Sequence, residues 1–304
     1  MISILGGLGA AACWAIATLA SSRSSRMLSA SSVVAWVMVV GLVIALPGVI
    51  VTGVPDGLGA SSWVWLGLSG AGNVGGLLCI YAAFAHGKVG LIAPIVSTEG
   101  AVAAVIAVAA GESLGGAAAG VLAMIVVGVV LASVPPPETA DLGHRDLPDA
   151  VPDSSSGDPR PTAPVPNNTI AVGLAIAAAV IFGISLYASG RVSQDLPISW
   201  VVLPPRVVGV AVVAIPLLVR GRLELTRAAL PLVVLSGLTE VLGYVAYGFG
   251  SRHGIAVTAV FGSQFAALTT LGAYVLFRER LGRVQLVGVV TIAVSVATFT
   301  ALRV

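Results

Sequence analysis

Apolar residues along this chain gather into blocks of about twenty, the length a helix rising 1.5 Å per residue needs to cross about 30 Å of hydrocarbon. Ten such stretches occur, at 2–22, 33–53, 63–85, 90–110, 115–134, 169–189, 198–219, 230–250, 255–277 and 284–303. Short polar or Gly/Pro-bearing joints separate them, such as Ser21 to Ser32 and Pro55 to Ser62. Lipid offers no partner to a backbone N–H or C=O, so each span must satisfy its own and the pattern predicts helices. The alternating ten-residue strands of a membrane barrel are absent from the sequence. The first stretch has no basic region ahead of it and reads as a permanent span rather than a cleaved leader.

One segment breaks the rhythm. From Pro135 to Asn168 the chain is rich in Pro, Asp and Ser, a composition that cannot bury a core and predicts a disordered acidic linker. It divides the spans into two blocks of five, 1–134 and 169–304, around the linker 135–168. The blocks match at an offset of 167 positions: Leu68-Ser69-Gly70 with Leu235-Ser236-Gly237, Gly76 with Gly243, His86-Gly87 with His253-Gly254, Glu112 with Glu279. At one position more, Arg23 meets Arg191 and Trp14 meets Phe182. Five spans is an odd number, so the second block lies upside down relative to the first, an arrangement that recurs in carriers. The expected fold is therefore all-α and membrane-integral, ten transmembrane helices in two inverted five-helix repeats around a central cavity.

Composition agrees and narrows the function. The chain is 57% hydrophobic and 9% charged, with a mean hydropathy of +1.04; an average soluble domain is about 25% charged. Its partners are then the lipid bilayer, a small-molecule substrate and, for a coupled carrier, protons. No basic patch interleaved with aromatics speaks for nucleic acid. Cys13 and Cys79 lie within apolar stretches and read as packing residues, and the three histidines share no metal-ligand spacing. No metal site or cofactor is expected. No Ser–Lys pair, His-Glu-x-x-His or paired Asp suggests an enzyme, and no Gly-Lys-Ser/Thr loop suggests ATP as the energy source.

Charges inside spans cost roughly 2.5 to 3.5 kcal/mol each on insertion scales, so those present are candidate pathway residues. Glu240 falls near the midplane of the eighth stretch and Asn73 at the matching depth of the third. Glu240 is expected to bind a proton or a substrate ammonium, and Asn73 to hydrogen-bond the substrate; a helix–helix contact is the plainer alternative. Glu99 lies mid-way along the fourth stretch, an acid able to load and release a proton. Arg206 follows Pro204-Pro205, which remove backbone donors and are expected to kink or unwind the seventh stretch there. Arg206 is placed to hold a substrate carboxylate or to neutralise Glu99, or else to snorkel to the interface. Gln264, Tyr244 and Trp14 complete the candidate pathway; Trp14 could stack on a cation or simply pack. Glu112 and Glu279 sit in turns and are expected to cap or pair locally.

The residues that carry these patterns resemble the EamA family of the drug/metabolite transporter superfamily. The resemblance lies in Trp14-Ala15, in the run from Tyr81 to Pro94, in the acidic turns Gly111-Glu112-Ser113 and Arg278-Glu279-Arg280-Leu281, and in the closing run Gly282 to Ala297. It implies ten helices about a central cavity, and export or exchange of amino acids, other metabolites or drug-like cations. The chain departs from the family where Trp36-Val37-Met38 stands in place of an early second-span arginine, which the second half has as Arg206. Phe182-Gly183 also replaces Trp-Ala in the sixth span.

The expected function is a secondary active transporter in the plasma membrane, exporting amino acids or related small metabolites, with proton coupling through Glu99 or Glu240. Efflux of hydrophobic cationic drugs and a non-transporting membrane scaffold are the alternatives. Basic residues crowd the joints opposite the termini: Arg23, Arg26, Lys88, Arg220, Arg222, Arg227, Arg278, Arg280 and Arg283, with Arg145 and Arg160 in the linker. Against Arg191, Arg252 and Arg303 on the other side, this bias puts both termini outside the cytoplasm; the family resemblance implies the reverse.

Overall fold

The computed structural model describes residues 1–56, 58–86, 89–134, 168–277 and 282–302. The expected disordered linker up to residue 167, the Glu279 turn, Gly87, Lys88, Arg145, Arg160 and Arg303 lie outside them, while Asn168, counted in the linker, is helical. Among the described residues the regular structure is helical, as the unshared backbone groups of a lipid-embedded chain require.

The first block contributes α1 (Ile2–Ser24), α2 (Ala30–Thr52), α3 (Ala60–His86), α4 (Val89–Val96), α5 (Glu99–Ala109) and α6 (Gly116–Ser133). The second contributes α7 (Asn168–Asp195), α8 (Ile198–Gly209), α9 (Ile215–Val219), α10 (Leu230–Ser251), α11 (Ile255–Gly262), α12 (Phe265–Phe277) and α13 (Arg283–Leu302). By length and composition eight helical stretches suffice to cross a membrane, α4–α5 and α8–α9 each counting as one; Ile255–Thr269 and Arg283–Phe299 are shorter apolar helices.

Two expected spans differ from a continuous helix. The stretch at 90–110 breaks at Ser97-Thr98, and the stretch at 255–277 breaks at Ser263-Gln264. The cause is local. Ser97 Oγ donates to the Pro94 carbonyl at 2.8 Å, Thr98 Oγ1 to that of Ile95 at 2.7 Å, and Ser263 Oγ to that of Val260 at 2.9 Å. Hydroxyls bonded to carbonyls one turn back compete with the helix ladder and bend it. The seventh stretch behaves differently from expectation too. α8 runs through Pro204-Pro205 unbroken, and the irregularity comes one turn later as a π-helical turn at Val210–Ala214 that leads into α9, a common form for a helix to absorb a lost bond.

The main packing joins one block to the other. The most extensive contacts are α3 on α7, α1 on α10 and α6 on α13, with α2 against α8. Close approach rests on glycines facing large side chains. A Cβ on Gly76 would lie 2.7 Å from the Phe182 ring, and one on Gly243 would collide with the Trp14 indole. Serines repeat the theme: Ser69 Oγ lies 2.7 Å from Ser189 Oγ, and Ser21 Oγ lies 2.6 Å from Ser236 Oγ. The half-helices pack unevenly. α5 lies against α11, whereas α4 rests on α7 and α6, and α12 on α1 and α6.

Candidate functional site

Where the broken spans meet α1, α3, α7 and α10, a cavity of about 310 Å³ opens in the interior. Trp14, Asn73, Glu99, Glu240 and Tyr244 all line it, with Phe182 and Phe265. Thr18 lies one turn beyond Trp14 and Leu77 one turn beyond Asn73, and both also line it; the cavity therefore extends from the middle of the helices toward the end opposite the termini. Toward the termini the path is filled. Tyr247 and Phe261 are fully buried there, Tyr247 donating to the Leu186 carbonyl at 2.9 Å and packing on Trp14 at 5.9 Å between ring centroids.

Arg206 is placed differently from expectation. Its guanidinium is fully buried and pairs with Glu240 through Nη2 and Oε2, while Glu240 keeps 26% of its side chain exposed to the cavity. It neither neutralises Glu99 nor lines the cavity, and it does not snorkel. Nη1 donates to Met38 Sδ at 3.3 Å, and the group sits 5.2 Å from the centre of the Tyr244 ring. Gly41 makes the room: a Cβ there would lie 2.8 Å from Arg206 Cδ. The missing first-block arginine thus has a counterpart in space, since Gly209 accommodates Met38 as Gly41 accommodates Arg206.

Glu99 opens α5, one residue after the break, and is 7% exposed. Among the described residues its carboxylate has no hydrogen bond or ion pair. Asn73 Nδ2 donates to the Tyr244 hydroxyl at 2.7 Å. Trp14 sits edge-on to Tyr244 and Phe265, at 5.5 Å and 6.4 Å between centroids. Gln264 is buried in the break of the ninth stretch and does not line the cavity. The buried side-chain polar atoms without a hydrogen-bond partner among the described residues are Trp14 Nε1, Asn73 Oδ1, Arg206 Nε and Gln264 Nε2. All belong to candidate pathway residues, and native proteins leave few such atoms without reason.

Glu112 caps a helix, but one in the other block rather than its own turn. Its carboxylate accepts from the backbone N–H of Ile255 at 2.9 Å and of Ala256 at 3.1 Å, at the start of α11. A carboxylate suits that helix end. Sequence reasoning missed this contact, because nothing in Glu112's own neighbourhood points to α11. Cys13 and Cys79 are free and half-buried. Among the described residues no group of His, Cys, Asp and Glu is placed to hold a metal ion.

A helical fold among the described residues, with apolar crossing helices about an interior cavity of mixed polar and apolar lining, is that of a multi-pass membrane protein. Residues 1–134 match the EamA-like transporter family, the family its motifs resemble. No curated protein matches the chain. Of the solved structures, 15 chains match. One, described only as "Crystal structure of protein", superposes with a TM-score of 0.72 at 18% identity, covering 99% of this chain and 97% of its own. That likeness speaks for the fold alone.

Proposed function

We propose that this chain is a proton-coupled secondary carrier of the plasma membrane that exports amino acids or related small metabolites. The observation that carries this reading is the pair of carboxylates facing one cavity, Glu240 tied to a buried arginine and Glu99 without a partner among the described residues. A free acid in a water-reachable cavity is a proton site; a cavity of about 310 Å³ suits a small metabolite, near the lower bound of roughly 300 Å³ for ligand pockets. Ten spans, α11–α12 and α13 forming the ninth and tenth, make two inverted repeats. The reciprocal contacts Gly76–Phe182 and Gly243–Trp14 support that symmetry.

Alternating access follows from the uneven half-helices. With α5 closed on α11, the end near the termini is sealed and the other is open; exchanging roles so that α4 closes on α12 would reverse the access. Ser97-Thr98 and Ser263-Gln264 are the hinges of that exchange. The charge bias puts the open end in the cytoplasm, which suits loading for export.

A second reading, efflux of hydrophobic cations, draws support from the aromatic walls Trp14, Phe182, Tyr244 and Phe265. The test is flux in reconstituted vesicles under a pH gradient, with amino acids and lipophilic cations, comparing wild type with Glu99→Gln and Glu240→Gln. Gradient-driven flux lost in either folded variant is the expected result. Flux indifferent to both acids would overturn the coupling, and a panel that never moves would overturn the carrier.

A further inference from the structure

We propose that the cavity exchanges one proton for one monocationic amine that lacks a free carboxylate, so that transport is electroneutral. This rests on the carrier reading, keeps its small metabolites, leaves out zwitterionic amino acids and adds a stoichiometry.

The argument is one of charge. Among the described cavity-lining residues the ionisable carboxyls are Glu99 and Glu240, and no Lys, Arg or His joins them. Arg206 answers Glu240 from behind. It is fully buried, hemmed by Gly41 and Met38 and laid against Tyr244, and has no space to swing toward Glu99. That pair sums to zero. Among the described residues that line the cavity, Glu99 is left as the one uncompensated charge. The helices packed on α5 add no counter-charge: α11 and α6 contain no ionisable residue, and those of α7, namely Tyr187, Arg191 and Asp195, lie in its half nearer the termini. Tyr244 is the remaining titratable group facing the cavity.

The cavity thus has two charge states, −1 and 0. An uncompensated charge in a low-dielectric interior is costly, so the occupant that neutralises Glu99 is favoured. A proton does this, and so does a monocation; both together overshoot. A zwitterion leaves Glu99 unanswered and brings a carboxylate to walls that hold no cation for it. The ammonium of an amine meets Glu99, Glu240 and the Asn73 amide, while an apolar body meets Leu77, Ile80, Phe182 and Phe265. Esters, amides and decarboxylated forms of amino acids have this chemistry.

The test uses the full chain in vesicles with tyramine, phenylalanine and a quaternary phosphonium as probes, read above protein-free vesicles. Tyramine uptake driven by a pH gradient should be the same with the membrane potential clamped at zero or strongly negative inside. Arg206→Met, which frees Glu240's charge, should make tyramine flux potential-sensitive, and Arg206→Lys should keep it insensitive. In detergent, tyramine binding should release at most one proton per molecule bound, and none from Glu99→Gln. Potential-sensitive wild-type flux, two protons released, or a preference for phenylalanine would overturn the proposal and leave the carrier standing. If no probe moves under the gradient, both fall.

Discussion

Arg206 and Glu240 depend on each other more than either depends on the rest of the site. Removing one partner of a buried ion pair strands the other and costs roughly 3 to 5 kcal/mol. Glu240→Gln should therefore lower thermal stability in detergent by more than Glu99→Gln does, because Glu99 leaves no stranded partner. Arg206→Met combined with Glu240→Gln should recover most of the loss; a double variant as unstable as Glu240→Gln alone would mean that the pair is not what Glu240 stabilises. The glycines opposite the aromatic rings give a second check. Gly243→Ala drives a methyl into the Trp14 indole and Gly76→Ala drives one into Phe182, and overpacking of this kind costs roughly 1 to 3 kcal/mol. Denaturation midpoints of the two variants measure it. At this scale the sequence marks the candidates through the rarity of charge in a span. It hides the seat of Arg206, since the groove that Gly41 leaves for it lies on a helix more than 160 positions away in sequence.

At the scale of elements, helix ends agree with the hydropathy pattern to within about three residues, save that α7 runs six residues past its expected end to Asp195; the bilayer sets the length of an apolar run whatever its neighbours are. The breaks in the fourth and ninth stretches are another matter. They arise from three hydroxyls turning back on their own carbonyls, and a serine or threonine in an apolar run gives no sign from sequence of which carbonyl it will choose. The cap that Glu112 places on α11 has a functional edge. Losing a capping side chain costs about 1 kcal/mol, and here the lost contact joins the two blocks at the closed end. Glu112→Ala should loosen that end. In a chain without Cys13 and Cys79, a cysteine at Thr258, buried beside this contact, should label faster with a water-soluble maleimide when Glu112 is alanine; equal rates would mean that the cap plays no part in closure.

For the whole molecule, the end opposite the termini gathers Arg23, Arg26, Arg220 and Arg222 around loops that touch, Trp36 Nε1 and the Ser29 N–H both bonding Glu224. The end of the termini holds Arg191 and Arg252, the latter bonded to the carbonyls of Ser193 and Leu196. With the basic end in the cytoplasm, an impermeant maleimide added to intact cells should label a cysteine at Asp195 and spare one at Arg26. The opposite result would reverse the orientation and turn the open end outward. Which helices of one block lie against which of the other was not legible; surface patterning gives no guide where every face is apolar.

Met38 and Arg206 face one another across the middle of the molecule, each seated in a groove that a glycine of the other block leaves open. The first block supplies the groove at Gly41 and the sulfur that accepts from the guanidinium; the second supplies the guanidinium, its carboxylate Glu240 and the groove at Gly209 in which the thioether lies. A duplicate of the first block would bring no guanidinium to the Gly41 groove, and a duplicate of the second would bring no thioether to Arg206, so the seat of the ion pair is built only where the two unlike halves meet.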